Sequence, residues 1–241
     1  MPKIVKILGE TITFDDTNNR HLFSKGNGEI LLSVTAATGV VDKSAALIGW
    51  AVRLGKEYLL AKIDNGEQIT VLDINEAANL HRIKKEEAGN IGDKIHAWVN
   101  EWIAGQNPAM PEEEKVRNGA MAFLQFQKEN KVKWIENSRV VYSKRNNYAG
   151  ILDAVGKIKN KLALIDFKSS NAIYKEYGLQ VAGYQIAYEE ETKKKIKYRL
   201  IIKFGKDTGD FEWRKFENNK GDKEGFLACL TLKRWLIGKP R

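Results

Sequence analysis

The chain has 241 residues, is 43% hydrophobic and carries a formal net charge of +9. That length suits one large domain or a core with an added lobe, and the basic balance points to a polyanionic partner, nucleic acid or an anionic membrane surface. The single cysteine, Cys229, excludes an internal disulfide and a cysteine zinc cluster. No apolar run approaches the ~20 residues that span a bilayer, and no amino-terminal signal is visible. The expectation is a cytoplasmic protein with no membrane partner.

Residues 2–33 alternate short apolar runs with turn residues, Ile4–Leu8, Thr11–Phe14 and Ile30–Leu32, and read as a small sheet. Asp15–Asn19 and Lys25–Gly28 are the turns. Asp42 is a plausible N-cap for a helix from Lys43 to Ile63. Leu47, Trp50, Leu54 and Tyr58 give that helix an apolar stripe, and Lys43, Arg53, Lys56 and Lys62 make it basic. Trp50 suits a core position or a base-stacking platform.

A long helical region runs from Asp73 to about Ala104, and Gly89 and Gly92 are expected to interrupt it. Ile91, Ile95, Val99 and Ile103 define its core face. His96 falls on another stripe above Gly92, where space is left for something larger than a side chain. Pro111 with Glu112, Glu113 and Glu114 starts the next helix. A strand follows from Val132 to Tyr142, interrupted by Glu136, which is either an edge-strand surface residue or a carboxylate of a metal site.

Tyr148 to Ser170 carries the chemistry. Two apolar, strand-like runs flank a short polar turn at Lys159-Asn160, the signature of a β-hairpin. A two-residue turn there, or a four-residue turn in the same frame, sets Lys157 opposite Leu162 and therefore Asp153 opposite Asp166, whereas an odd-length turn would separate the aspartates. Directly opposed residues share a face, with Cβ atoms roughly 4.5–5.5 Å apart, and like charges so placed destabilise a sheet. Lys168 points to the same side as Asp166. A hard divalent cation makes this convergence tolerable, because Mg²⁺ is typically held by one or two carboxylates plus waters and substrate phosphates. The competing reading is an ordinary hairpin with Asp166 and Lys168 as solvated ends.

A helix is expected from Ile173 to Glu190, with Leu179, Ala182, Gly183 and Ile186 packed on the sheet. Tyr177, Gln180, Tyr184 and Tyr188 form a separate polar–aromatic stripe that meets a phosphate backbone, braces Lys168, or is simply a half-buried face. Lys193–Lys197 is a basic turn, Tyr198–Phe204 and Phe211–Phe216 are strands, and Gly221–Leu236 is a closing helix. This order implies an α/β sandwich.

The motifs Gly150-Ile-Leu-Asp153, Ile165-Asp166-Phe167-Lys168 and Gln180-x-x-x-Tyr184 resemble the PD-(D/E)XK nuclease superfamily, and more closely its RecB-type exonuclease branch, which includes phage and mitochondrial genome maintenance exonucleases. Gly92–His96 is similar to that branch's histidine-bearing helix, and Glu136 to a glutamate of its first core strand. Leu152 stands where the superfamily name has proline. The resemblance covers roughly His96 to Tyr188. It implies a restriction-endonuclease-like core, a central mixed β-sheet flanked by helices. It implies that Asp153, Asp166, His96 and the Phe167 carbonyl ligate Mg²⁺ or Mn²⁺, with Glu136 as a further candidate ligand and Lys168 as the catalytic lysine. No iron–sulfur cluster is expected, since its four cysteines are missing. Gln180, Tyr184, Ser169 and Thr35 would contact DNA, joined by Lys43, Trp50 and Arg53 of the basic helix.

The expected division is a β/helical extension over residues 1–90 that contacts DNA, and a nuclease core over residues 91–241. The expected activity is a metal-dependent DNA exonuclease of recombination, repair or replication, acting on single strands or duplex ends, with a single-strand annealing or repair protein as a candidate partner. An endonuclease on the same core and a non-catalytic nucleic-acid-binding module are the alternatives. A neutral lysine base would require burial to lower the pKa of Lys168.

Overall fold

The computed structural model describes residues 2–17 and 21–238. Asn18 and Asn19 of the expected first turn lie outside the described residues. The strands are β1 (Lys3–Ile7), β2 (Glu10–Asp15), β3 (Leu22–Lys25), β4 (Ile30–Ser33), β5 (Lys133–Ser143), β6 (Tyr148–Ile158), β7 (Lys161–Lys168), β8 (Tyr198–Phe204) and β9 (Phe211–Lys215). The helices are α1 (Val34–Thr38), α2 (Ser44–Asp64), α3 (Val71–Ile103), α4 (Glu114–Asn130), α5 (Tyr177–Thr192) and α6 (Asn219–Leu236).

The chain groups into two compact units. One runs up to Val41 and resumes at Ile95, and the other is Asp42–Lys94. This corrects the expected cut at residue 90: the amino-terminal strands belong with the core. The physical reason is non-local pairing, since β4 joins β6 in a parallel ladder, Ser33 beside Ala149. Ile7, Ile12, Phe23 and Leu31 then form one buried cluster with Val140, Tyr142 and Ala149 of β5 and β6.

The large unit is a mixed sheet flanked by helices, as expected. Its strand order is β1-β2-β3-β4-β6-β7-β8-β9, with β5 pairing β6 off that path. The β4–β6 and β7–β8 pairs are parallel, and the remaining pairs are antiparallel. One core gathers Leu152, Val155, Leu164 and Ile201 with Tyr184 and Tyr188 of α5 and Phe226 of α6. A second is aromatic: Phe123 of α4 packs on Trp134, Phe167 and Phe204 at centroid distances of 5.8, 6.0 and 6.2 Å. Aromatic pairs at such separations contribute beyond their buried area.

Helix α5 presents the reverse of the expected side. The tyrosine stripe packs on the sheet, where a Cβ on Gly150 would meet Tyr184 at 2.8 Å. Gly183 instead faces α6, where its Cβ would meet Phe226 at 2.6 Å. The helix lies between two apolar surfaces, so periodicity alone does not say which stripe takes which. It also starts later than expected, at Tyr177.

In the second unit, α2 packs against the first part of α3, with Gly55 close to Ala77: a Cβ there would lie 3.1 Å from the Ala77 carbonyl oxygen. The N-cap of α2 is Lys43, not the expected Asp42, which stands one residue earlier with its Oδ1 accepting the Ser44 N–H at 2.8 Å. Helix α3 is capped by a reciprocal pair. Asp73 Oδ2 accepts the Thr70 N–H at 2.8 Å, and Thr70 Oγ1 accepts the Asp73 N–H at 3.3 Å, a capping box with aspartate in the acidic place. Gly89 and Gly92 do not interrupt α3. A helical glycine costs only about 1 kcal/mol relative to alanine, too little to break so long a helix.

Candidate active site

The turn between β6 and β7 holds Lys159 at φ 49° and Asn160 at φ 62°. Two successive left-handed residues make the two-residue turn that suits the right-handed twist of a hairpin. It sets Lys157 beside Leu162, as the sequence requires. The ladder ends at Ala154–Ile165, one position short of the aspartates. There the Asp153 carboxylate replaces the next rung, its Oδ2 accepting the Phe167 N–H at 2.7 Å.

The sheet opens at this place. Strand β5 pairs with β6 from Tyr148 to Lys157 on one edge. The other edge is shared, by β4 at Tyr148 and Ala149 and by β7 from Ala154 onward. Between these ladders, at residues 150–153, that edge has no strand partner among the described residues. Asp153 sits in the gap.

Asp166 is 1% exposed. Lys168 Nζ lies 2.7 Å from its Oδ2, yet that oxygen has no aligned hydrogen bond, so the contact is an ion pair of poor hydrogen-bond geometry. Burial pushes the Asp166 carboxyl up to about 6; Lys168 opposes this and the Asp153 charge adds to it. Burial pulls Lys168 down, but the charges of Asp166 and Asp153 outweigh it and hold the ammonium above its usual range. Both partners therefore move upward, because the lysine answers two carboxylates while Asp166 bears the heavier desolvation. The lowering of the Lys168 pKa that a neutral base requires is thus opposed by the two carboxylates beside it.

The α5 stripe surrounds that ammonium. The Tyr177 ring lies 5.1 Å from Lys168 Nζ, a cation–π contact. Tyr184 is buried, its hydroxyl accepts from Gln180 Nε2 at 3.1 Å, and burial followed by the Asp166 charge raises its pKa to about 12. Tyr177 was absent from the expected site residues, although its helical spacing with Gln180 and Tyr184 is the signal that finds it.

His96 does reach the hairpin, with Nδ1 3.7 Å from Asp153 Oδ1. Its ring meets the edge of Phe167 at a centroid distance of 6.1 Å. Ser169 follows Lys168 directly and is half-buried. Glu136 is not brought to the aspartates. It pairs with Arg139 and accepts from the Tyr188 hydroxyl at 3.2 Å, because a register shift between Trp134 and Glu136 turns it toward α5. Thr35 lies in α1 and is exposed. Lys43, Trp50 and Arg53 belong to the other unit, where α2 buries no residue fully, so Trp50 is not a core side chain.

Among the described residues no cluster of three or more His, Cys, Asp or Glu side chains forms an all-protein metal cage. The donors present still fit Mg²⁺ or Mn²⁺. A hard cation of this kind takes one or two carboxylates and keeps water and phosphate for the rest. Asp166 Oδ2 is a buried carboxylate oxygen without an aligned donor, and Asp153 beside it raises the need for positive charge.

No family model and no curated protein matches the sequence. Among solved structures the chain is similar to a candidate exonuclease from Eubacterium rectale, with 12% identity and a TM-score of 0.42 over 63% of this chain and 69% of that one. It is also similar to an alkaline exonuclease from Laribacter hongkongensis, with 11% identity and a TM-score of 0.38 over 86% of this chain and 91% of that one. At this distance neither likeness assigns a reaction to the site.

Proposed function

We propose that this chain is a divalent-metal-dependent deoxyribonuclease that hydrolyses DNA phosphodiester bonds from an end. The observation that carries the reading is the convergence of Asp153, Asp166 and Lys168 at the gap in the sheet, with Asp166 buried and its Oδ2 left without an aligned donor.

Asp153, Asp166 and the Phe167 carbonyl, with His96 beside Asp153, would hold Mg²⁺ or Mn²⁺. Such a cation polarises a phosphoryl oxygen and makes a neighbouring water more acidic. The Lys168 ammonium, held 2.7 Å from Asp166 Oδ2, would donate hydrogen bonds to the charge that builds on the phosphoryl oxygens and align the attacking water. Removing one such donor typically costs about 10²–10³ in rate. Tyr177, Gln180 and Tyr184 restrict where the ammonium can sit. The Asp153 bond to Phe167 ties the two carboxylates to one strand end. The net charge of +9 favours the polyanion, so binding should weaken steeply with salt.

End-labelled single-stranded, duplex and circular DNA, incubated with Mg²⁺, Mn²⁺ or EDTA, tests this. Metal-dependent loss of linear DNA, with circles spared and Asp166→Ala and Lys168→Ala inactive, is the expected result. Cleaved circles would make the enzyme an endonuclease. No cleavage in any lane, with binding intact, would leave a nucleic-acid-binding module.

A further inference from the structure

Strand β8 places a second lysine beside the first. Strands β7 and β8 run parallel, and their register sets Lys168 next to Lys203. Neighbouring strands lie about 4.8 Å apart, and partners in a ladder project to the same face. The adjacent pair confirms the face: Asp166 neighbours Ile201, and Ile201 belongs to the core with Tyr184 and Tyr188. Both lysines lie at the carboxyl ends of parallel strands, where open α/β sheets gather their ligands.

Like charges set side by side on a sheet are unfavourable, and the two lysines are compensated differently. Lys168 is answered by the buried Asp166. Lys203 is answered by Glu212 of β9 at 2.9 Å, and the Glu212 side chain is 58% exposed. An ion pair with so wet a carboxylate contributes little and exchanges readily for another anion. Lys203 Nζ also approaches the Asn171 carbonyl oxygen at 3.4 Å, in the segment that leads from Lys168 to α5. Its own side chain is only 20% exposed, so an anion received there is partly shielded from water.

We infer that Lys203 binds a second phosphate of the nucleic-acid strand whose scissile phosphate lies at Lys168, with Glu212 as the counter-ion that the phosphate displaces. This rests on the nuclease reading for the first phosphate. The alternative role, an edge ion pair that only fastens β9 to β8, predicts different behaviour.

The test is fluorescence anisotropy of a labelled single-stranded oligonucleotide, titrated in EDTA at several salt concentrations. Wild type is compared with Lys203→Gln, Lys203→Arg and Glu212→Gln, each checked for an unchanged melting temperature. Loss of one phosphate contact on a single strand should lower the slope of log K against log salt by about 0.7. Lys203→Gln should show that decrease, and Lys203→Arg should keep the wild-type slope. Glu212→Gln should bind more tightly, because the competing carboxylate is gone. In Mg²⁺, Lys203→Gln should raise KM and leave kcat nearly unchanged. An unchanged slope in Lys203→Gln, or equal or weaker binding in Glu212→Gln, overturns the assignment. If wild type does not cleave, the nuclease reading falls and the binding slopes still decide Lys203. If it cleaves and the slopes do not move, only Lys203 falls.

Discussion

The Asp153 carboxylate accepts the Phe167 N–H at 2.7 Å, so a side chain closes the β6–β7 ladder where a backbone rung would otherwise stand. One residue thus terminates the strand pairing and supplies a carboxylate to the site. Asp153→Ala should leave that N–H without its acceptor and cost about 1–3 kcal/mol. Asp153→Asn keeps an acceptor oxygen and should retain most of that stability while losing metal affinity. Urea unfolding of the two variants, beside Mn²⁺ calorimetry, separates the roles; equal destabilisation by both would show that the hydrogen bond does not hold the strand end.

Asp166 predicts a pH dependence of its metal-free stability. Its folded pKa is raised by burial, to about 6, against about 3.9 in an unfolded chain. Between those values the folded state binds the extra proton, so stability from this group is complete below about 4 and is lost as pH rises through about 6. Asp166→Asn should remove that slope. The readout is the difference between wild type and variant in urea unfolding from pH 4 to 8; a constant difference would contradict the raised value. Metal affinity should run the other way and weaken as pH falls, since the ligand must be deprotonated.

Tyr177 offers a test of how Lys168 is positioned. Its ring lies 5.1 Å from the ammonium, and such contacts are worth about 0.5–2 kcal/mol. Tyr177→Phe keeps the ring face and should retain kcat. Tyr177→Leu should lower kcat by about 2- to 30-fold, that energy range converted at 1.4 kcal/mol per tenfold, with KM little changed. A loss confined to KM would make the residue a substrate contact instead.

The hairpin turn stores strain that can be removed. Lys159 and Asn160 both adopt positive φ, which costs an ordinary side chain about 1–2 kcal/mol. Replacing the pair with Asn-Gly, Lys159→Asn with Asn160→Gly, should stabilise the protein by about 1 kcal/mol and raise Tm by about 2–4 °C. Differential scanning calorimetry decides it, and an unchanged or lower Tm would mean that the turn is not under strain.

Local chemistry was legible in the sequence. A period of two and a two-residue turn leave one register for the hairpin, so Lys157 opposite Leu162, and the aspartates next in line, follow from the order of residues. The helical spacing of Tyr177, Gln180 and Tyr184 likewise places them on one stripe of α5. Tertiary structure decided what those stripes and strands meet. The tyrosine side of α5 took the sheet because Gly150 leaves room for Tyr184 and Gly183 leaves room for Phe226. Glu136 was drawn to Arg139 and Tyr188 by an irregular register that no local pattern announces. The amino-terminal strands joined the core, and Lys203 came to lie beside Lys168, through parallel pairings between distant segments. The direction in which the Lys168 pKa shifts was also beyond the sequence, because it depends on burial opposed by two carboxylates. Sequence periodicity specifies which residues share a face; only packing specifies what that face touches and how much water remains there.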